Sequence, residues 1–301
     1  MELIVIGAGP AGLTSALFAK RHGLDVTVFD NPSQLSNLAI THYIENWPGT
    51  KRTPGITLLG DMKAHVKREG IEVKQEKIIK ISKVRKGFVV KTPFNEYECK
   101  AVIIAMGLTH RKANIKGEDE MLGKGVSYCT VCDGPLFRGK AVAVIGGGDS
   151  AVKGALALKD MGVNKVYLIH RRDKLRAEEM LQKKVFDSDI KIMWNSLTDE
   201  IIGDKFVKAI KIKDKKTEKI TEIPVDGIFV EIGSVPVTEI LNNIKVKLDE
   251  GGFIIVNQEK ETNVRGVFAA GDITNSPLKQ DITASADGAI AAISAYRFLK
   301  G

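Results

Sequence analysis

Short apolar runs that end in glycine-rich turns recur along this chain, and two of them open units of the same design. Leu3-Ile4-Val5-Ile6 is unbroken in its apolar character and is followed by Gly7-Ala8-Gly9-Pro10-Ala11-Gly12. A wholly apolar run this short predicts a strand buried on both faces. Leu13 to His22 then has helical spacing, and Asp25-Val26-Thr27-Val28-Phe29 predicts a second strand ending at Asp30, 18 residues beyond Gly12. Strand, turn, helix and strand make a βαβ unit of the size that binds a dinucleotide. In that setting Gly7 serves the tight turn, Gly9 lets backbone approach a pyrophosphate, and Gly12 permits close helix packing. Pro10 and Ala11 lie at the start of a helix whose N-terminus favours an anion. Asp30 is placed to accept hydrogen bonds from ribose hydroxyls.

The same pattern returns at Lys140-Ala141-Val142-Ala143-Val144-Ile145, which runs into Gly146-Gly147-Gly148-Asp149-Ser150-Ala151 and a helical stretch from Val152 to Met161. Ala151 takes the packing position of the third glycine. The following strand, Lys165 to Ile169, ends in His170-Arg171-Arg172 instead of an acid. Guanidinium groups at Arg171, Arg172 and Arg176 match a 2′-phosphate, so this second site is expected to take an NADP-type cofactor. Two such units predict an α/β protein with two Rossmann-like dinucleotide-binding domains.

Elsewhere the pattern predicts a helix over 56–69, short strands between Glu72 and Val90 joined at Lys86-Gly87, and a strand from Ala101 to Ala105 that reaches Met106-Gly107. Further strands are expected at Asp226 to Gly233, Gly252 to Val256 and Gly266 to Ala270, the last entering Gly271-Asp272. An Ala-rich helix from Ala284 to Leu299 follows, its N-terminus able to face a phosphate or a ring atom that gains negative charge.

Composition narrows the classes. The chain has 301 residues, a formal net charge of +8 and a pI near 9.2, but its lysines alternate with Asp and Glu over most of the length. The basic clusters at 174–184 and 211–219 lack interleaved aromatics, so nucleic acid is not expected as a partner. Three cysteines suit a reducing compartment and not a disulfide-stapled secreted protein. Leu3 to Ala19 is apolar enough to suggest a signal segment, but Glu2 precedes it and glycines and a proline interrupt it, so none is expected. No run approaches membrane-spanning length; a cytoplasmic protein without membrane partners is expected.

Two of the cysteines meet in Ser127-Tyr128-Cys129-Thr130-Val131-Cys132-Asp133-Gly134-Pro135. Two thiols at this spacing close a short disulfide, and the adjacent acid can move the protons of thiol exchange. A redox pair is the reading adopted; half of a zinc site and a structural staple are the alternatives. Zinc needs further Cys or His ligands at comparable spacing, and only Cys99 and five scattered histidines remain, so no metal site is expected. A staple across so short a loop removes little unfolded-state entropy.

Taken in order, Gly7 to Gly12, Glu45-Asn46-Trp47-Pro48-Gly49, Gly125-Val126-Ser127-Tyr128-Cys129, Cys132-Asp133-Gly134, Gly146 to Ala151, His170-Arg171-Arg172 and Phe268-Ala269-Ala270-Gly271-Asp272 resemble one family over nearly the whole chain. That family is the low-molecular-weight thioredoxin reductases of bacteria and archaea. The resemblance implies FAD at the first unit and NADPH at the second. It also implies a homodimer and thioredoxin or a related small redoxin as partner. The FAD domain would be discontinuous (1–110 and 239–301, a three-layer ββα arrangement), and the NADPH domain (111–238) would carry the redox disulfide. The resemblance assigns Gln34, Asn46, Gly107, Gly271, Asp272 and Gln280 to the flavin side. It implies that Cys132 takes electrons from the flavin, Cys129 attacks the partner, and Asp133 protonates the leaving thiolate, with hinges near Arg111 and Pro236. The chain departs from the family at Cys129-Thr130-Val131-Cys132 (usually Cys-Ala-Thr-Cys), Ala105-Met106-Gly107 (usually Ala-Thr-Gly) and Leu278-Lys279-Gln280 (usually Tyr-Arg-Gln). It also lacks the Gly-Gly that usually precedes Gln34.

Overall fold

A computed structural model describes residues 1–301 and divides them into two compact units, 1–109 with 235–301, and 110–234. The first opens with β1 (Leu3–Ile6), α1 (Pro10–Arg21) and β2 (Val26–Phe29). Then come α2 (Gly55–Arg68), β3 (Glu72–Lys74), an antiparallel sheet of β4 (Lys80–Val84), β5 (Gly87–Lys91) and β6 (Glu96–Cys99), and β7 (Ala101–Ile104). The chain leaves through β8 (Thr109–His110).

The second unit starts with β9 (Val126–Ser127) and the single-turn helix α3 (Thr130–Asp133). It continues through β10 (Ala141–Gly146), α4 (Asp149–Asp160), β11 (Lys165–Ile169), α5 (Glu179–Phe186) and β12 (Lys191–Met193). An antiparallel sheet of β13 (Ser196–Gly203), β14 (Val207–Asp214) and β15 (Ile220–Pro224) precedes β16 (Gly227–Glu231), and β17 (Ser234–Val235) returns the chain to the first unit. There β18 (Val267–Ala269) and α6 (Asp281–Lys300) complete it.

Both units centre on a five-stranded parallel sheet, β18-β7-β1-β2-β3 in the first and β12-β11-β10-β16-β9 in the second. The two-residue period of a strand explains the three layers. Leu3 and Val5 of β1 face α1, α2 and α6 in one core, whereas Ile4 and Ile6 face Ile81, Phe88 and Val90 of the antiparallel sheet in another. Val142 and Val144 of β10 pack with Val152, Ala155 and Leu158 of α4, while Ala143 and Ile145 pack with Ile201, Ile210 and Ile212. All four residues of β1 are 4% exposed or less, and each such side chain contributes about 1.5–3 kcal/mol on burial.

Two glycines fix the first turn. Gly7 has φ +108°, and a Cβ there would lie 2.3 Å from the Ala105 carbonyl oxygen. At Gly12 a Cβ would lie 1.8 Å from the Gly7 carbonyl oxygen, so the helix crosses the strand end at a distance only glycine allows.

Several elements, such as α5 and β12, are not expected from the sequence, and two stretches contrast with its reading directly. Residues 252–256 form no strand; Ile254 makes isolated bridges with Leu248 and Thr274 after the Gly251-Gly252 turn. The β13-β14-β15 sheet lies where no strands are expected, because its exposed face is so rich in Lys, Asp and Glu that the alternation resembles a solvated loop.

Candidate functional site

In the second unit, Cys129 and Cys132 form a disulfide with a Cα–Cα distance of 5.3 Å. Cys129 is the N-cap of α3, and its sulfur accepts the Cys132 backbone N–H at 3.1 Å. On reduction, a thiolate at Cys129 would keep this donor, which favours its charged form. Cys132 is exposed, Cys129 partly buried, and Asp133 partly buried at the end of the same turn. Upstream, Ser127 Oγ accepts the Cys129 N–H at 2.9 Å and donates to the Cys129 carbonyl at 3.3 Å. No group of three or more His, Cys, Asp or Glu residues is placed to hold a metal ion. Cys99 is buried in the first unit, and burial pushes its thiol up to about 12, which disfavours its thiolate.

Two acids missing from the sequence reading hold this segment. Glu118, 2% exposed, accepts the Tyr128 hydroxyl at 2.5 Å and the backbone N–H groups of Ala113 and Ile115, each at 3.0 Å. Burial and the Glu118 carboxylate together push the Tyr128 hydroxyl well above the usual phenol range, and its ring stacks on His110. Glu231, at the end of β16, accepts the Thr130 hydroxyl at 3.1 Å, and burial pushes its carboxyl up to about 7. Each acid is isolated in sequence from the cysteines, so no spacing could have singled it out.

The second glycine turn lies between β10 and α4. Gly148 caps α4, and a Cβ on it would meet nothing within 4 Å, which leaves open backbone at the helix start. Gly146 pairs with Glu231 across the sheet, and Ala151 is fully buried beneath the turn. Ser150 is exposed in the first turn of α4, and Asp149 accepts the Glu178 N–H at 2.9 Å. Arg171, Arg172 and Arg176 are exposed, and the Arg176 N–H donates to the Gly147 carbonyl at 2.8 Å, tying that arginine's backbone to the turn. His170 behaves differently from its neighbours. It is 4% exposed, with one ring nitrogen 3.0 Å from the Gly146 carbonyl and the other 3.0 Å from the Lys174 carbonyl. Burial lowers its pKa, and the arginines at 172 and 176 act in the same direction.

In the first unit a cavity of about 320 Å³ is lined by Gly7, Gly9, Pro10, Ala11, Asp30, Gln34, Gly107 and Asp272 among others. The Asp30 carboxylate accepts the Ala8 N–H at 3.3 Å and pairs with Lys63 at 3.2 Å. Gln34 donates to the Leu108 carbonyl at 3.5 Å. Burial raises the pKa of Asp272, which the nearby Lys279 opposes. Gly12, Asn46, Gly271 and Gln280 are not in the cavity wall. Gly12 lies beneath the turn, Asn46 donates to the Gln280 side chain at 2.9 Å, and Gln280 caps α6. Gly271 donates its N–H to Asp287 at 3.3 Å. Glu76 also lines the cavity and holds Tyr97, Thr92 and Asn95 through its carboxylate, a contribution not expected from sequence. A second cavity of about 340 Å³, lined by Lys83, Arg85, Lys86, Lys100 and Arg265, contains none of the expected residues.

The open backbone above α1, the apolar wall and the acid at the end of β2 fit an adenine dinucleotide in the first unit, as Gly148 and the arginines do in the second. Comparison with known proteins agrees with this chemistry. The family model described as pyridine nucleotide-disulphide oxidoreductase matches residues 1–292. A thioredoxin reductase of Bacillus subtilis is 38% identical over 301 residues, 99% of this chain and 95% of that protein. One from Listeria innocua is 38% identical, covering 99% and 94%. Among solved structures, the Lactococcus lactis thioredoxin reductase superposes with TM-score 0.95 at 38% identity, covering 99% of this chain and 98% of that one. The T. acidophilum thioredoxin reductase superposes with TM-score 0.94 at 36% identity, covering 98% and 97%.

Proposed function

The chain belongs to the pyridine nucleotide-disulphide oxidoreductase family, and we propose that it is an NADPH-dependent thioredoxin-disulfide reductase in which Cys129 and Cys132 are the redox pair. The observation that carries this reading is the disulfide on α3, built into the same unit as an arginine-flanked dinucleotide turn. FAD and NADPH are its cofactors, and when bound the flavin supplies a two-electron relay between nicotinamide and disulfide.

The residues then divide the work. Gly7, Gly9, Pro10 and Ala11 leave the start of α1 open to the flavin pyrophosphate, and Asp30 accepts the ribose hydroxyls. Gln34, Gly107 and Asp272 line the same cavity, and Asn46, Gly271 and Gln280 would support the flavin side from outside its wall. The open backbone at Gly148 and the first turn of α4, with Asp149 and Ser150 in it and Gly146 and the buried Ala151 packed under it, would receive the second pyrophosphate, and Arg171, Arg172 and Arg176 would select the 2′-phosphate. His170, next to Arg171 in sequence, is held between the Gly146 and Lys174 carbonyls, and its neutral ring has one N–H to donate to one of them.

Once Cys129 and Cys132 are reduced, the Cys129 thiolate attacks one sulfur of the partner's disulfide. That bond breaks as a mixed disulfide forms, and Asp133 supplies a proton to the departing thiolate. The Cys132 thiol then gives its proton to the Asp133 carboxylate left by the first step, its thiolate displaces the partner from Cys129, and the departing thiolate takes that proton, which restores the Cys129–Cys132 bond and releases the partner as a dithiol. The natural acceptor is thioredoxin or a related small redoxin, the protein works as a homodimer in the cytoplasm, and the chain crossings near Arg111 and Pro236 act as hinges. No helix is long and apolar enough to cross a membrane.

The test is steady-state NADPH oxidation by the FAD-loaded protein with oxidised thioredoxin as acceptor. Sustained turnover that produces one thioredoxin dithiol per NADPH supports the reading. Absence of turnover with any small redoxin, with flavin bound, overturns it.

A further inference from the structure

Thr130 lies between the two redox cysteines, and its side chain is fixed on two sides. It is 6% exposed, its hydroxyl donates to Glu231 at 3.1 Å, and it packs against Gly154 of α4 so closely that a Cβ there would lie 3.0 Å from the hydroxyl oxygen. The Glu231 carboxyl is held by this one hydrogen bond at the end of β16, 101 residues away in sequence. Among the elements packed on β16, β9 and β10 carry no titratable side chain. Asp133 on α3, Asp149, Lys153, Lys159 and Asp160 on α4, and Lys208, Lys211, Lys213 and Asp214 on β14 make no ion pair with Glu231. Asp149 is engaged by the Glu178 N–H, and the three β14 lysines pair with Asp204, Glu200 and Glu218. A carboxyl without a compensating cation therefore sits one hydrogen bond from the turn that carries the disulfide.

We propose that Glu231, acting through Thr130, is a positioning residue whose charge sets how readily the Cys129–Cys132 disulfide opens to the dithiol. Opening adds two electrons, breaks the S–S bond and leaves each sulfur as thiolate or thiol. The Cys132 N–H favours the thiolate at Cys129. A neutral Glu231 leaves that charge undisturbed, whereas an ionised Glu231 opposes it as a like charge. Because burial pushes the carboxyl up to about 7, the opposition is expected to set in across neutral pH. The Thr130 hydrogen bond lowers that value, so its loss moves the switch to higher pH.

This inference rests on the redox assignment of the two cysteines, but its test does not use NADPH. The FAD-loaded protein is equilibrated from pH 6 to 9 with dithiothreitol and its cyclic disulfide, and the free thiols of Cys129 and Cys132 are counted by alkylation and mass spectrometry. The exchange is balanced, since dithiothreitol gives up two electrons and its two thiol protons as it cyclises. Below pH 6.5 the parent and Glu231→Gln should have the same dithiol-to-disulfide ratio. Above pH 7.5 the ratio in Glu231→Gln should exceed the parent's by about three- to tenfold. Thr130→Val should follow Glu231→Gln to a higher pH before falling away, and Thr130→Ser should track the parent. Parallel curves for parent and Glu231→Gln over the whole range, as a merely structural role would give, overturn the proposal. If Glu231→Gln does not fold, the contrast between Thr130→Val and Thr130→Ser decides the same point. A disulfide that shows this pH behaviour but is never reduced by NADPH would count against the assigned function and leave the coupling standing.

Discussion

Tyr128 donates its hydroxyl to Glu118 at 2.5 Å, one residue before Cys129, and so ties the entry of the redox turn to a carboxylate that also holds two backbone N–H groups. Glu118 is 2% exposed, so each donor replaces water it has lost. Tyr128→Phe removes one donor and is expected to lower stability by about 1–3 kcal/mol, read as a fall in thermal midpoint. In the parent, the Tyr128 phenolate should be absent from an ultraviolet titration carried to about pH 11, above the ordinary tyrosine value, because burial and Glu118 push the group well above that range. A normal phenolate count at that pH would contradict the bond.

The first glycine turn and the helix that follows β2 make opposite predictions for two glycines. Gly12→Ala places a methyl group 1.8 Å from the Gly7 carbonyl oxygen and must displace backbone, so flavin retention and thermal stability should both fall. Gly60 lies exposed within α2, and a methyl group added there would meet nothing within 4 Å, so Gly60→Ala should stabilise by about 0.5–1 kcal/mol. Flavin absorbance after gel filtration and thermal melts check both.

In the proposed second dinucleotide site, the exposed arginines would act on the 2′-phosphate alone. Replacing Arg171 and Arg172 with Ala should raise the KM for NADPH by about 10- to 100-fold, the cost of one or two charge-assisted hydrogen bonds. The KM for NADH should change little. A parallel rise for both cofactors would show that these residues hold the fold and not the phosphate.

His170 gives the unit a pH dependence with a definite sign. Its folded pKa lies below the unfolded value of 6.5 because burial opposes the charged ring, so its contribution to stability is present above 6.5 and is lost as pH falls through the window below it. Thermal midpoints should decline as pH falls from about 7 to about 5.5, and the decline should be shallower in His170→Asn, which cannot titrate. An identical slope in both proteins would remove His170 as the cause.

Much of the fold is legible because its signals are local. The runs at Leu3–Ile6 and Ala141–Gly146, their glycine turns and the following helices each depend on residues within about one βαβ unit, and the structure places them in matching parallel sheets. The cysteine pair is equally local. What sequence did not reveal is non-local. Glu118 and Glu231 meet the disulfide turn from elsewhere in the chain, Glu76 reaches the first unit's cavity from the loop after β3, and nothing in their neighbours distinguishes them from surface acids. His170 shows the limit within a motif: it adjoins Arg171 and Arg172 in sequence, but its ring turns into the protein between two carbonyls while the arginines face outward. Thr130, a departure from the family's usual residue, acquires meaning only through Glu231 on β16.

The central claim is that electrons from NADPH leave the protein through Cys129. The direct measurement is anaerobic: NADPH is added to the FAD-loaded parent and to Cys129→Ser, then oxidised thioredoxin follows, with flavin absorbance recorded throughout. Both proteins should bleach with NADPH. Thioredoxin should restore the colour of the parent and leave Cys129→Ser bleached. Recovery of Cys129→Ser at the parent's rate would contradict the account.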